Sequence, residues 1–271
     1  MGKVSPEARE RYLEKVNQFG KHIEDISKRE EMILQTINQE SVGSEFKKIR
    51  LADENLNLAS YYILMNNLSL SLLGVKNEAF LNNARKLIYK VLIYLEQVVT
   101  DSIDYSFSEY GDKVLAIDAY DPLSRLTLCN KIGLTIQRVS DGFGDNSKWK
   151  WSFVELEGRL AVVCKNFLNQ KTLFGDLDPD KEFYEIKFNH LNLAKKLLDQ
   201  AASRYREKYE LSSFQIEDFK VAIKLLEGLR KLFIAINRHN DADNLKRKID
   251  TWQQKLDYDL KKKDLEKKGR G

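Results

Sequence analysis

Apolar positions along this chain recur at helical spacing almost from end to end. Tyr12, Val16, Phe19, Ile23, Ile26, Ile33 and Ile37 follow alternating steps of four and three, interrupted only by Glu30. That 3.5-residue repeat predicts a first helix over about 6–40 with a coiled-coil-like seam. At 1.5 Å per residue such a helix spans roughly 50 Å, which predicts an elongated molecule. Gly43 and Gly74 bracket a second helix, and Phe80, Ala84, Leu87, Val91, Leu95 and Val98 mark one face of a third. Periodicity then lapses over 101–112, "DSIDYSFSEYGD". A short helix, a helix through about Val139 and another from about 147 to 170 follow. After the break "LFGDLDPD" (173–180) a helix runs to about Tyr209, the next reaches His239, and a last one from Asn240 fades into "KKKDLEKKGRG".

The pattern predicts an all-α fold: an elongated array of eight or nine long antiparallel helices, as a bundle or a short α-solenoid. No clean repeat period supports a tetratricopeptide array. A division into an N-terminal lobe, 1–140, and a C-terminal lobe, 141–271, at the glycine-rich turn is expected, with a single domain as the alternative. Local start signals agree with the helices. Ser5-Pro6, Asp121-Pro122 and Asp178-Pro179 each place proline behind a good N-cap residue, where its missing N–H costs nothing. In "LSSFQI" (211–216), Ser212 and Gln215 fit a capping box, with Leu211 and Ile216 as a staple.

Trp149 and Trp151 sit two positions apart behind "GFGDNS". Residues two apart on a helix point roughly 200° away from each other, so the two indoles cannot form one platform. Trp149, Phe153, Leu156, Leu160, Val163 and Phe167 form one stripe, and Trp151, Val154, Gly158, Ala161 and Leu168 another. A helix apolar on both sides is a central, buried one. The G-F-G of the turn has no preceding strand and no third glycine, so a phosphate cradle is not indicated.

Composition narrows the picture further. The chain has 271 residues and a net charge of +4. From Asn244 onward ten basic residues stand against five acids, so the basic excess belongs to the tail. Lys261, Lys262, Lys263, Lys267 and Lys268 are its candidate electrostatic contacts, but no aromatic interleaves with them for base stacking. A solvated terminus is the better reading, and nucleic acid or a membrane surface ranks low among partners. Asn55 to Val75 carries no charge and is long enough to span a bilayer. Its asparagines and serines argue instead for a helix buried among others, with partners for Asn66 and Asn67 across an interface.

Candidate chemistry is sparse. Cys129 and Cys164 lie in apolar helical runs, where packed thiols are expected. The three histidines lack a Glu-x-x-His or H-E-x-x-H context. Asp176, Asp178 and Asp180 imitate the opening of a calcium loop, but Lys181 and Lys187 occupy the positions of its glycine and glutamate. No catalytic residue, metal or cofactor is assigned. The 101–112 segment is the exception: Tyr105, Phe107 and Tyr110 lie on a loop with acids and no bases, and are candidate protein-binding anchors. The opposing view folds them back onto the bundle as a lid.

"DGFGDNSKWKWSFVELEGRLAVV" and "LLDQAASRYREKYELSSFQIEDF" resemble all-helical proteins of spirochaetes, a resemblance covering the C-terminal half. It implies a structural or envelope-associated helical protein and assigns no functional residue. The expected function is a non-enzymatic helical scaffold or adaptor with protein partners. A structural subunit of an envelope or motility assembly, self-associating through the first helix, is the alternative. A nucleic-acid or anionic-membrane adaptor working through the tail comes third. A cytoplasmic location is expected, or a periplasmic or envelope-associated one if a signal segment has been removed.

Overall fold

The computed structural model describes residues 4–39, 42–176 and 178–268. Among these there is no strand, and the chain forms ten α-helices. They are α1 (Pro6–Gln39), α2 (Ser44–Leu73), α3 (Glu78–Val98), α4 (Phe107–Ala116), α5 (Pro122–Phe143), α6 (Lys150–Asn166), α7 (Gln170–Asp176), α8 (Tyr184–Lys208), α9 (Ile216–Ala235) and α10 (His239–Lys268). The helix beyond the eight or nine expected is α7, a seven-residue segment too short to show periodicity.

Two compact units emerge. One comprises 1–100, 116–120 and 127–156, the other 101–115, 121–126 and 157–271. The division falls inside α5 and α6 and not at the glycine-rich turn between them. The first half of α6 and Trp149 just before it belong with the N-terminal helices through contacts with α3. The Arg85 guanidinium lies 4.0 Å from the centre of the Trp149 ring, and the Tyr89 hydroxyl donates to the Ser152 carbonyl at 3.2 Å. The second half of α6 serves the other unit.

In the first unit α2 is packed by α1 and α3. Gly43 and Gly74, both at φ 68°, bound α2. This left-handed conformation is where glycine is favoured, and the Gly74 N–H closes the last turn on the Leu70 carbonyl. Leu51, Ala52, Leu56, Leu58 and Ala59 meet a core that includes Leu81, Ala84, Ile88, Val91, Leu92 and Leu95 of α3. No helix among the described residues is long and apolar enough to cross a membrane. The uncharged stretch of α2 is partly interior, and Asn66 finds the partner expected of it, although Asn55 Oδ1 is buried without one. Asn66 Oδ1 accepts from the Asn77 N–H at 2.9 Å, whereas Asn67 is exposed.

Glu30, which interrupts the α1 seam, is a buried ionic node. Its Oε1 accepts from Lys90 Nζ at 2.6 Å, Asn55 Nδ2 at 2.8 Å and the Tyr94 hydroxyl at 3.2 Å. A charge can be buried at a helix interface only with partners of this kind. Burial first, and then the Glu30 charge, push the Tyr94 hydroxyl up to about 12. The rest of the seam is less enclosed: Ile26 is buried, while Tyr12, Val16, Phe19, Ile23, Ile33 and Ile37 are half-buried.

In the second unit α9 packs between α8 and α10. Tyr209 stacks on Phe219 at 4.9 Å and donates to Asp259 Oδ2 at 2.8 Å, while Phe219 contacts Trp252. Two sequence-predicted starts are displaced. Asp178-Pro179 opens a turn in which Asp178 Oδ1 accepts from the Asp180 N–H, and α8 begins only at Tyr184. Likewise α8 runs on into a π-turn (Tyr209–Ser213), and α9 starts after Gln215. There Ser213 Oγ, not Ser212, accepts from the Gln215 N–H and donates to Asp218. Leu211 is 69% exposed and staples nothing.

Candidate functional site

The lapse in periodicity after α3 is shorter than the sequence suggests. The irregular connector ends at Ser106, where the glutamate half of a capping box starts α4. The Ser106 N–H and Oγ both donate to Glu109 Oε2, at 2.6 and 2.7 Å. These bonds to the charged form hold the Glu109 carboxyl below its ordinary range. S-F-S-E at 106–109 is the Ser-x-x-Glu signature, a signal present in the sequence and missed by reading 101–112 as one loop.

The three aromatics of this segment therefore separate. Tyr105 remains on the connector and is 46% exposed. Phe107 is half-buried at the first turn of α4. Tyr110 is 3% exposed, with its ring 5.5 Å from that of Phe107, and its hydroxyl accepts from Gln170 Nε2 at 3.0 Å. Burial pushes the Tyr110 hydroxyl well above the ordinary tyrosine range. Tyr110 is thus a core residue of the second unit, whereas Tyr105 and Phe107 keep surface exposed to solvent.

Three successive connector carbonyls are held by side chains from distant helices. Asn166 Nδ2 donates to Ser102 O at 3.2 Å, Lys165 Nζ to Ile103 O at 2.8 Å, and Lys231 Nζ to Asp104 O. Gly228 on α9 lets the same segment approach closely, since a Cβ there would lie 2.7 Å from Ile103 O. The connector is folded back against α6 and α9, as the lid reading anticipated, yet Tyr105 stays accessible.

Beside it opens a cleft of about 500 Å³, lined in part by Tyr105, Phe107, Lys165, Lys171, Lys231 and Leu232. That volume falls in the range of small-ligand sites. Lys165 is the unusual member, with 2% of its surface exposed. Burial, and secondly the charge of Lys231, push its ammonium down to about 8, against the opposing pull of Asp104 and Glu109. Its only hydrogen-bond acceptor among the described residues is the neutral Ile103 carbonyl, and the ring of Tyr110 lies 5.6 Å away. Sequence reasoning passed over Lys165; the available signal was a lysine amid "LAVVCKNF" on a helix apolar all round.

The remaining candidates lie elsewhere. Lys261, Lys262 and Lys263 are exposed on the last turns of α10, and Lys267 and Lys268 continue the helix, their side chains outside the described residues. Cys129 and Cys164 are buried, and the Cys164 carbonyl lies 3.0 Å from His190 Nε2. Asp176, Asp178 and Asp180 are split between the end of α7 and the turn after it.

The fold and site thus define an all-helical protein with a lysine-lined cleft in its second unit. The chain belongs to the TP0443 family, a spirochaete (Treponema) family, which it matches over residues 8–260. The match reaches well beyond the C-terminal half that carried the resemblance. A stretch of 107 residues, 40% of the chain, is 29% identical to part of the minichromosome loss protein 1 of Schizosaccharomyces pombe. The chain spans 13% of that protein's length. No solved structure matches the chain.

Proposed function

We propose that this protein is a helical scaffold that binds a protein partner through the cleft beside the 101–106 connector. The observation that carries the reading is the combination of a pinned backbone with an accessible aromatic. Asn166, Lys165 and Lys231 fix three consecutive carbonyls, while Tyr105 on the same segment is 46% exposed. An aromatic presented on rigid backbone loses little conformational entropy on binding, which is what makes tyrosine an effective anchor. Binding fits the cleft better than turnover does, because its described lining includes no carboxylate and no imidazole to exchange protons with Lys165.

The test is a photo-crosslinking amino acid placed at Tyr105 and, as a control, at Tyr258, which is 68% exposed on α10. The reading expects one discrete crosslinked partner from position 105, lost when Phe107 is also changed to alanine, and none from 258. Equal crosslinking at both positions overturns it.

A second reading, self-association through α1, is favoured by the half-buried seam and by Leu13 and Met32, which are 58% and 57% exposed on the same helix. Mass by light scattering decides it: a monomer across the accessible concentration range removes this reading and leaves the first untouched.

A further inference from the structure

We infer that the cleft takes a carboxylate carried on an apolar body, presented by a partner peptide in which an acidic residue neighbours an aromatic or aliphatic one. Lys165, Lys171 and Lys231 receive the charge, and Leu232, Ile234 and the Phe107 ring receive the apolar body. The inference rests on the docking reading above and specifies the chemistry of that partner.

Its basis is a charge imbalance. Three ammonium groups line one cleft of about 500 Å³, and no acid is among its described lining residues. None of the three is ion-paired with a carboxylate among the described residues. An ammonium as buried as that of Lys165 ordinarily has an ionic partner, because desolvating an unpaired charge is costly. The nearby acids do not fill that role. The Glu109 carboxylate is turned back onto Ser106, and Asp104 meets Lys231 through its main-chain carbonyl. Each lysine that holds a connector carbonyl spends one N–H on it, leaving further donors for an incoming anion. A carboxylate entering here relieves the repulsion between Lys165 and Lys231 and completes their hydrogen bonding. The partly exposed Ile234 and Tyr105 at the rim give a peptide apolar surface to cross.

The experiment is an NMR titration of the isotope-labelled full chain with 3-phenylpropionate and, in parallel, its neutral analogue 3-phenylpropionamide. The inference expects the acid to shift amides of 103–108 and 228–235 with a Kd on the order of 1 mM, and the amide to bind about tenfold more weakly. Lys171→Met, at an exposed position that holds no connector carbonyl, should weaken the acid several-fold and leave the amide unaffected, and added salt should act in the same direction. N-acetyl-Phe-Glu-amide should bind at least as well as the free acid, with N-acetyl-Phe-Gln-amide weaker.

Equal binding of acid and amide, or no shift in these segments, overturns the inference. Binding of the free acid with exclusion of the Glu peptide overturns its assignment to a peptide. The two readings fail separately. A charge-selective cleft with no partner crosslinked at position 105 sinks the docking reading, whereas a Tyr105 crosslink with no charge selectivity sinks the carboxylate.

Discussion

Replacing Gly228 with alanine probes the pinned connector most directly. In the open interior of a helix, glycine to alanine stabilises by about 1 kcal/mol, because alanine restricts the unfolded chain and propagates helix better. At Gly228 the added Cβ lands 2.7 Å from Ile103 O, with Ile103 C and Cγ2 each at 3.6 Å. Ordinary contact requires the backbone oxygen to withdraw by about 0.7 Å, the difference between 3.4 Å and the 2.7 Å built distance. That oxygen cannot swing aside as a side chain can. It accepts from Lys165 Nζ at 2.8 Å, and the flanking carbonyls are held by Asn166 and Lys231. Losing two of the three bonds at about 1 kcal/mol each, against the propensity gain of about 1, leaves a net loss of about 1 kcal/mol, within the usual cost of overpacking. Gly20→Ala in α1 is the matched control: nothing lies within 4 Å of its added Cβ, and it should gain up to about 1 kcal/mol. Urea unfolding followed by circular dichroism measures both, and limited proteolysis reads the connector, which should be cut faster in the Gly228 variant. A Gly228→Ala protein as stable as the parent, with the connector equally protected, refutes the close packing and the clamp together.

Glu30→Ala should cost about 2–4 kcal/mol by urea unfolding, because Asn55, Tyr94 and Lys90 lose their common acceptor; Lys90→Met, at a part-exposed position, should cost distinctly less. Gly142→Ala meets only the side chain of Leu81, at 2.7 Å, and should cost less than Gly228→Ala in the same assay because that side chain can move. For Lys165, whose folded pKa of about 8 lies below the ordinary lysine value of 10.5, the unfolded state binds the extra proton between these values. Stability therefore rises with pH through that window, and the parent should gain on Lys165→Met by an amount on the order of 2 kcal/mol between pH 7.5 and 10. Buried Tyr110 opposes this at higher pH in both proteins alike, so the difference between the two isolates the lysine; a pH-independent difference is the contrary result.

The sequence was most legible where neighbours decide the outcome. Ser5-Pro6 and Asp121-Pro122 begin helices as expected, with Ser5 Oγ accepting from the Ala8 N–H and Asp121 Oδ1 from the Ser124 N–H. The second half of α6 is buried on all sides, in line with its two apolar stripes. Errors arose where two local solutions competed. Asp178 bonds its own turn in preference to capping a helix, and the π-turn absorbs Ser212 before α9 can start. The cleft was barely legible because it depends on distant partners: Lys165 and Ile103 are 62 residues apart, and Lys231 and Asp104 are 127 apart. Periodicity reports which face of a helix is apolar and says nothing about which carbonyl will wait there for an ammonium.

That last separation also constrains biogenesis. The 101–106 segment reaches its final hydrogen bonds only after α9 has been made, more than a hundred residues later on the chain. Closing so large a loop is entropically slow to reward. Until then only the contacts from Asn166 and Lys165 can form, and the Asp104 carbonyl waits for Lys231. The connector is therefore fully locked only when α9 has emerged.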